Sequence, residues 1–250
     1  SSIIVFNRMS SSKTTLSKNI QIISIDGNIG SGKSTLMNYF IEQKESFKLT
    51  EPNTEFVFLL EPVDEWSDIR DESGIPILTK FYENTEKYAF SFQMMVYLSR
   101  LSLIKKHIDD FQKNKRKHKK EKLVIITERS LITDKEVFCK MLYDSKKISY
   151  MDYSIYNKWY NTFAHDYPVS KIIYLATDPL ICSERTKQRS REGESKITAE
   201  YLWLCDNYHK NMVDTFEIEK GERNVVRLRD STVGTQICGL NYILGFISNK

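Results

Sequence analysis

The chain has 250 residues, 40% hydrophobic and 28% charged, with nine Gly and five Pro. Such a chain can bury a substantial core, and its composition excludes extended disorder, a collagen-like repeat and a disulfide-dense scaffold. The net charge is +4, but Lys113–Lys122 (KNKRKHKKEK) alone carries +6 and leaves the rest at −2.

Residues 1–19 are rich in Ser, Thr and Lys and read as a flexible N-terminal tail. With Arg8 as its one arginine, this segment makes a poor transit peptide. Residues 20–250 show no repeat and no boundary, and read as a single domain. Within it, Ile20–Ile25, Glu55–Leu60, Leu123–Thr127 and Lys171–Ala176 are apolar, β-branched runs expected to be buried strands, with Asn224–Leu228 a weaker fifth. Helical spacing fills the intervals over Ser34–Glu45, Thr79–Asp110, Met151–Phe163, Pro179–Ser190, Thr198–Glu219 and Gly234–Ile247. Strands separated by helices predict an α/β fold, a five-stranded parallel sheet with helices on both faces.

No stretch approaches the ~18 uninterrupted apolar residues of a membrane span, so no membrane partner is expected. The basic run 113–122 lacks the interleaved aromatics of a base-stacking surface and reads as a solvated loop rather than a nucleic-acid site. Cys139, Cys182, Cys205 and Cys238 lie far apart, and the four histidines show no ligand spacing. Reduced, buried thiols are expected, and a cytoplasmic location is favoured with a mitochondrial one left open.

The strongest local signal is Gly27-Asn28-Ile29-Gly30-Ser31-Gly32-Lys33-Ser34, followed by Thr35. It matches G-x-x-x-x-G-K-[ST] between an apolar strand and a helix. Glycines let the backbone N–H groups wrap a phosphate, and the helix adds its positive end. Lys33 would reach the β/γ-phosphates and the Ser34 hydroxyl would ligate Mg²⁺. A nucleoside triphosphate is the expected ligand. The third run ends in Glu128-Arg129-Ser130 rather than the Asp-Glu of a motor, and no Asn-Lys-x-Asp guanine reader is present. The acceptor is therefore expected to be something other than water.

Glu61-Pro62-Val63 and Trp66 follow the second run, at the sheet edge where open parallel sheets bind ligands. A carboxylate there can take a proton from an attacking hydroxyl. Glu61-Pro62-Val63-x-x-Trp66, Phe92-Gln93 with Arg100, Glu128-Arg129-Ser130-x-x-x-Asp134 and Arg185-x-x-x-Arg189-x-Arg191 occur in that order. With the phosphate loop they resemble the deoxyribonucleoside kinases, a group that includes deoxycytidine, deoxyguanosine and mitochondrial thymidine kinases and viral relatives. The resemblance runs from about Gln21 to His209.

It implies a P-loop kinase fold with an Arg-rich lid over about 185–196, in which Arg185, Arg189 and Arg191 close on the phosphates. It implies ATP or another NTP as donor, Mg²⁺ held with help from Glu128, a deoxyribonucleoside acceptor, and a homodimer packed through the helix holding Gln93. By the same resemblance Glu61 is the base for the 5′-OH, Arg129 binds near the transferring phosphoryl, and Tyr82 with Glu194 binds the sugar 3′-OH. Trp66, Leu78, Phe92, Val96 and Phe138 would wall the base, and Gln93 would read its edge. Gly193 and Glu194 stand where the family carries two neighbouring acids, a departure from its lid pattern. Arg100 and Asp134 match the charged pair of the deoxycytidine and purine kinases, which favours such an acceptor over thymidine. A thymidylate-type monophosphate kinase, a nucleotide-dependent nucleic-acid-binding protein and a non-catalytic nucleotide module stay open as alternatives.

Overall fold

Isoleucine and valine crowd their own helical turns but pack well on a pleated surface, and here they build a sheet buried on both faces. The structure is a computed structural model that describes residues 16–114, 120–189, 194–229 and 242–248. Its elements in chain order are β1 (Ile20–Gly27), α1 (Lys33–Glu42), α2 (Lys44–Thr50), β2 (Thr54–Leu59), α3 (Val63–Asp68), α4 (Ile77–Glu83) and α5 (Thr85–Asn114). There follow β3 (Lys122–Glu128), α6 (Leu131–Thr133), a π-helical turn (Asp134–Cys139), α7 (Lys140–Asp144) and α8 (Tyr150–Phe163). The series closes with β4 (Lys171–Ala176), α9 (Pro179–Arg189), α10 (Ala199–Lys220) and β5 (Val225–Arg229), and residues 242–248 are helical.

The five strands form one all-parallel sheet in the order β2-β3-β1-β4-β5, with register pairs such as Ile22↔Ile125 and Ile25↔Ile173. Alternate residues face opposite layers. Ile22, Ile125 and Ile172 pack with α5, α8 and α10 on one side, through Tyr97, Tyr156 and Val213. Ile23, Ile126 and Ile173 pack on the other with Leu36 and Phe40 of α1 and with Ile243 and Ile247. These side chains are essentially inaccessible, and each contributes about 1.5–3 kcal/mol by leaving water. The expected α/β sheet flanked by helices is the observed one.

Parallel pairing brings every strand's carboxyl end to one edge. The phosphate loop follows β1, Glu61 follows β2, Arg129 follows β3, and Thr177 with α9 follows β4. Because β3 and β4 flank β1 on opposite sides, the chain diverges around β1 and opens a crevice there.

Three features depart from the sequence reading. The helix expected over Thr79–Asp110 is broken at Asn84, whose Oδ1 accepts the Lys87 N–H at 3.1 Å and caps α5. Likewise Gln43 separates α1 from α2, interrupting the helix expected over Ser34–Glu45. Residues 16–19, expected to end a flexible tail, are tied to the sheet instead. Leu16 packs on the core, the Leu123 N–H donates to the Asn19 carbonyl at 2.9 Å, and Asn19 Nδ2 donates to the Glu121 carbonyl at 2.7 Å. The rest of that tail, Arg191, Gly193, Cys238 and residues 115–119 of the basic run lie outside the described residues.

Candidate active site

The phosphate loop needs backbone that only glycine accepts comfortably. Gly27 has φ +150°, and a Cβ there would sit 2.6 Å from Ser31 Oγ and 2.8 Å from the Leu175 carbonyl. Gly30 has φ +80°, and its Cβ would sit 2.5 Å from the Cys182 carbonyl and 2.7 Å from Thr186 Oγ1. The loop is thus pressed against α9. Asn28 fastens it from behind, donating Nδ2 to the Leu202 carbonyl and accepting the Ile29 N–H through Oδ1, both at 2.8 Å. Thr177 Oγ1 donates to the Ser31 carbonyl at 3.1 Å. Lys33 Nζ is buried and donates to the Asn28 carbonyl at 2.7 Å. Burial, with Arg129 adding repulsion, lowers the Lys33 ammonium to about 8 despite Glu128 and Glu61 nearby. Ser34 Oγ donates to Glu128 Oε1 at 2.9 Å.

Opposite the loop stands a cluster of carboxylates and guanidiniums. Glu61 Oε1 accepts from Arg129 at 2.6 Å and from Arg100 at 3.3 Å. Arg100 is 2% exposed and donates Nε to Asp134 Oδ2 at 2.9 Å while a second nitrogen bonds the Glu128 carbonyl. Burial pushes the Glu61 carboxyl upward, but Arg129, Arg100 and Lys33 together outweigh it and hold the group well below the usual carboxylate range. Burial dominates at Asp134 and raises it, opposed by Arg100. Glu61 is therefore an ionised acceptor at neutral pH.

Arg129 has φ +60°, a strained conformation for a long side chain that costs about 1–2 kcal/mol. Its N–H donates to the Ile25 carbonyl at 2.9 Å, and its guanidinium lies 4.9 Å from the centroid of the Phe138 ring. The strain turns the side chain out of the β3 end and back toward the phosphate loop. The π-helical turn that follows carries both Asp134 and Phe138 to the same wall, as wide turns do at binding sites.

These groups share one cleft of about 540 Å³. Ile29, Gly30, Gly32, Lys33, Ser34 and Thr35 line its donor end with Glu128, Arg185 and Arg189. Glu61, Trp66, Leu78, Tyr82, Phe92, Gln93, Val96, Arg129, Asp134, Phe138 and Glu194 line the other. Gly27, Asn28 and Ser31 shape the loop from behind it, and Arg100 stands behind the wall holding Asp134 and Glu61. Gln93 is 2% exposed, and its Oε1 is buried without a hydrogen-bond partner. Phe92 stacks on Phe81 (4.7 Å, 20°) and meets Trp66 edge-on at 5.9 Å, so the apolar wall is preformed. Arg189 grips Glu194 with two nitrogens, at 2.6 and 3.1 Å. Burial and the Glu194 charge both raise the Tyr82 phenol.

The family model for deoxynucleoside kinase matches residues 23–233. The chain belongs to the deoxynucleoside kinase family. It is 31% identical over 220 residues to deoxycytidine kinase 2 of Gallus gallus, covering 82% of this chain and 80% of the relative. It is 30% identical over 199 residues to human deoxycytidine kinase, covering 77% and 75%. With human mitochondrial thymidine kinase 2 it shares 28% over 193 residues, covering 76% and 63%. The chain is thus a deoxynucleoside kinase, a phosphotransferase that draws on a nucleotide phosphate donor.

Sequence reasoning missed four residues that line this kinase's cleft: Val63, Phe81, Gln188 and Tyr201. Val63 and Gln188 sit inside motifs already singled out, and Phe81 adjoins Tyr82, so adjacency was their signal. Tyr201 offered none, since only the packing of α10 beside α9 brings it in. Among the described residues no helix is long and apolar enough to cross a membrane, and no cluster of three His, Cys, Asp or Glu side chains could hold a metal ion.

Proposed function

We propose that this kinase transfers the γ-phosphoryl of ATP, or another NTP, to the 5′-OH of a deoxyribonucleoside, with deoxycytidine or a purine deoxynucleoside preferred to thymidine. The observation that carries the reading is Glu61 held between Arg129 and Arg100 at the mouth of the phosphate loop. The 5′-hydroxyl would donate to Glu61 as its oxygen attacks the γ-phosphorus, and the bond to the β-phosphate oxygen breaks to release the diphosphate. A carboxylate with so low a proton affinity is a weak base. It orients the hydroxyl first and takes the proton late, which suits a loose phosphoryl-transfer transition state. Arg129 and Lys33 neutralise charge on the transferring group, and Arg185, Arg189 and Arg191 would close over it and exclude water.

Ser34 and Glu128 present adjacent oxygens at 2.9 Å on the cleft wall, a donor set that suits Mg²⁺. When bound, the ion would offset the charge of the donor phosphates. Tyr82 and Glu194 would take the sugar 3′-OH, with the Arg189 grip on Glu194 coupling that contact to α9. Gln93 would read the base edge bidentately, and its orphaned Oε1 supports this. Asp134 offers an acceptor to an exocyclic amine, which thymine lacks. The thymidylate-kinase alternative needs cations for the acceptor's own phosphate. Arg100 and Arg129 are already matched by Asp134 and Glu61, which favours an uncharged acceptor.

The test is Glu61→Gln. Turnover should fall by ~10²–10⁴-fold with acceptor affinity changed only a few-fold. Turnover retained at the native level removes Glu61 from the mechanism.

The homodimer rests on a different observation. Met151, Ile155, Trp159 and Phe163 recur every fourth residue along α8 and are exposed, as is Leu98 of α5, the helix on which α8 packs. A second copy packed on that stripe would cover it. Sedimentation should give a dimer that Trp159→Glu splits, whereas a native monomer contradicts the reading.

A further inference from the structure

Asp26 is the next-to-last residue of β1, is fully buried, and takes no part in the transfer scheme above. Its carboxylate accepts from Ser24 Oγ and, across 107 residues of sequence, from Thr133 Oγ1. Thr133 Oγ1 also accepts the Ser130 N–H at 3.2 Å, and Ser130 Oγ accepts the Thr133 N–H at 3.2 Å. A hydroxyl has one proton, and that of Thr133 goes to Asp26. The 2.8 Å contact between the two hydroxyls therefore has Ser130 Oγ as donor. Both hydroxyl protons in this reciprocal cap take their direction from one carboxylate.

The cap begins at the residue after Arg129. The Arg129 N–H is itself held by the carbonyl of Ile25, the neighbour of Asp26. Two consecutive residues of β1 thus grip the turn on both sides of the strained Arg129 backbone, one through its carbonyl and one through its carboxylate. The same strand then runs directly into the phosphate loop at Gly27. Burial raises the Asp26 carboxyl, opposed by its hydrogen bonds from Ser24 and Thr133 and by the Arg129 and Lys33 cations, one from each side of the reaction.

We propose that Asp26 is a positioning residue for phosphoryl transfer: through Thr133 it holds the Ser130 turn, and with it the Arg129 guanidinium, in register with the phosphate loop. This rests on the reading of Arg129 as the cation at the transferring phosphoryl. A reacting group displaced by about 1 Å loses ~10² in rate, so loosening this anchor should act on turnover while leaving the donor's own site formed.

The experiment compares Thr133→Val, Thr133→Ser, Asp26→Asn and Arg129→Ala in the full chain. It measures kcat, both KM values, donor affinity without acceptor, and Tm, with assays run well below the lowest Tm. Thr133→Val should lower kcat ~10–100-fold and change donor affinity less than about threefold. Thr133→Ser, which keeps the hydroxyl, should return to within about threefold of native. Asp26→Asn should lower kcat, and combining it with Thr133→Val should add little, since both cut one link. Native kcat in Thr133→Val or Asp26→Asn overturns the proposal. So does a loss that Thr133→Ser fails to restore, or one shared equally by donor affinity. Native turnover in Arg129→Ala would instead defeat the reading of Arg129, a separate failure.

Discussion

Arg129 and Glu61 meet at 2.6 Å although 68 residues separate them in sequence. One follows β3 and the other follows β2, and the parallel pairing of those strands, with Leu59 opposite Thr127, brings the two ends together. The reactive pair is thus a product of sheet register. A slip of one residue would turn each side chain to the other face.

Lys33 predicts how donor use depends on pH. Its ammonium is lowered to about 8 by burial, so in the free enzyme half of it is neutral near that pH and most of it above. The charged form binds the phosphates, so kcat/KM for the donor should be flat below pH 8 and fall toward tenfold per pH unit above it. Bound phosphate restores favourable charge around the ammonium, so kcat should hold to higher pH. Glu61 stays ionised throughout, so no acid limb should appear between pH 5 and 7. A donor kcat/KM that stays flat well beyond pH 9 would contradict this account of Lys33.

Arg100 and Asp134 predict a coupled energetic effect. Both are buried, and removing one partner strands the other's charge. Arg100→Leu alone should cost about 3–5 kcal/mol in urea unfolding, whereas the double variant with Asp134→Leu should be less destabilised than the singles summed. Strict additivity would mean that the pair does not act as a unit. Arg100→Leu should also release Glu61 on one side and relax the discrimination against thymidine.

The strands were legible because each is a short, continuous apolar run that a two-sided sheet requires, from Ile20–Ile25 to Lys171–Ala176. The phosphate loop was legible because its chemistry is local, with eight consecutive residues supplying the whole cradle. Glu61, Arg129 and Asp134 were recognisable through ordered motifs, and the fold brings them into one cleft. What escaped reading depends on contacts between distant segments. The break at Asn84 is a cap formed where an apolar periodicity runs on either side of it, and the π-helical turn leaves no period in the sequence. The Asp26–Thr133 bond joins two polar residues 107 positions apart, and no local pattern announces such a pair. The sequence also could not foretell that Arg189 pairs with Glu194 across the end of α9.

The most direct measurement is the initial rate of phosphorylation by ATP–Mg²⁺ of the four deoxynucleosides and their 5′-monophosphates. The account predicts turnover of deoxycytidine, deoxyadenosine or deoxyguanosine well above that of thymidine, with the monophosphates inert. Thymidine as the best acceptor would contradict the Arg100–Asp134 reading of the base pocket, and turnover of monophosphates alone would contradict the 5′-hydroxyl as the group that Glu61 receives.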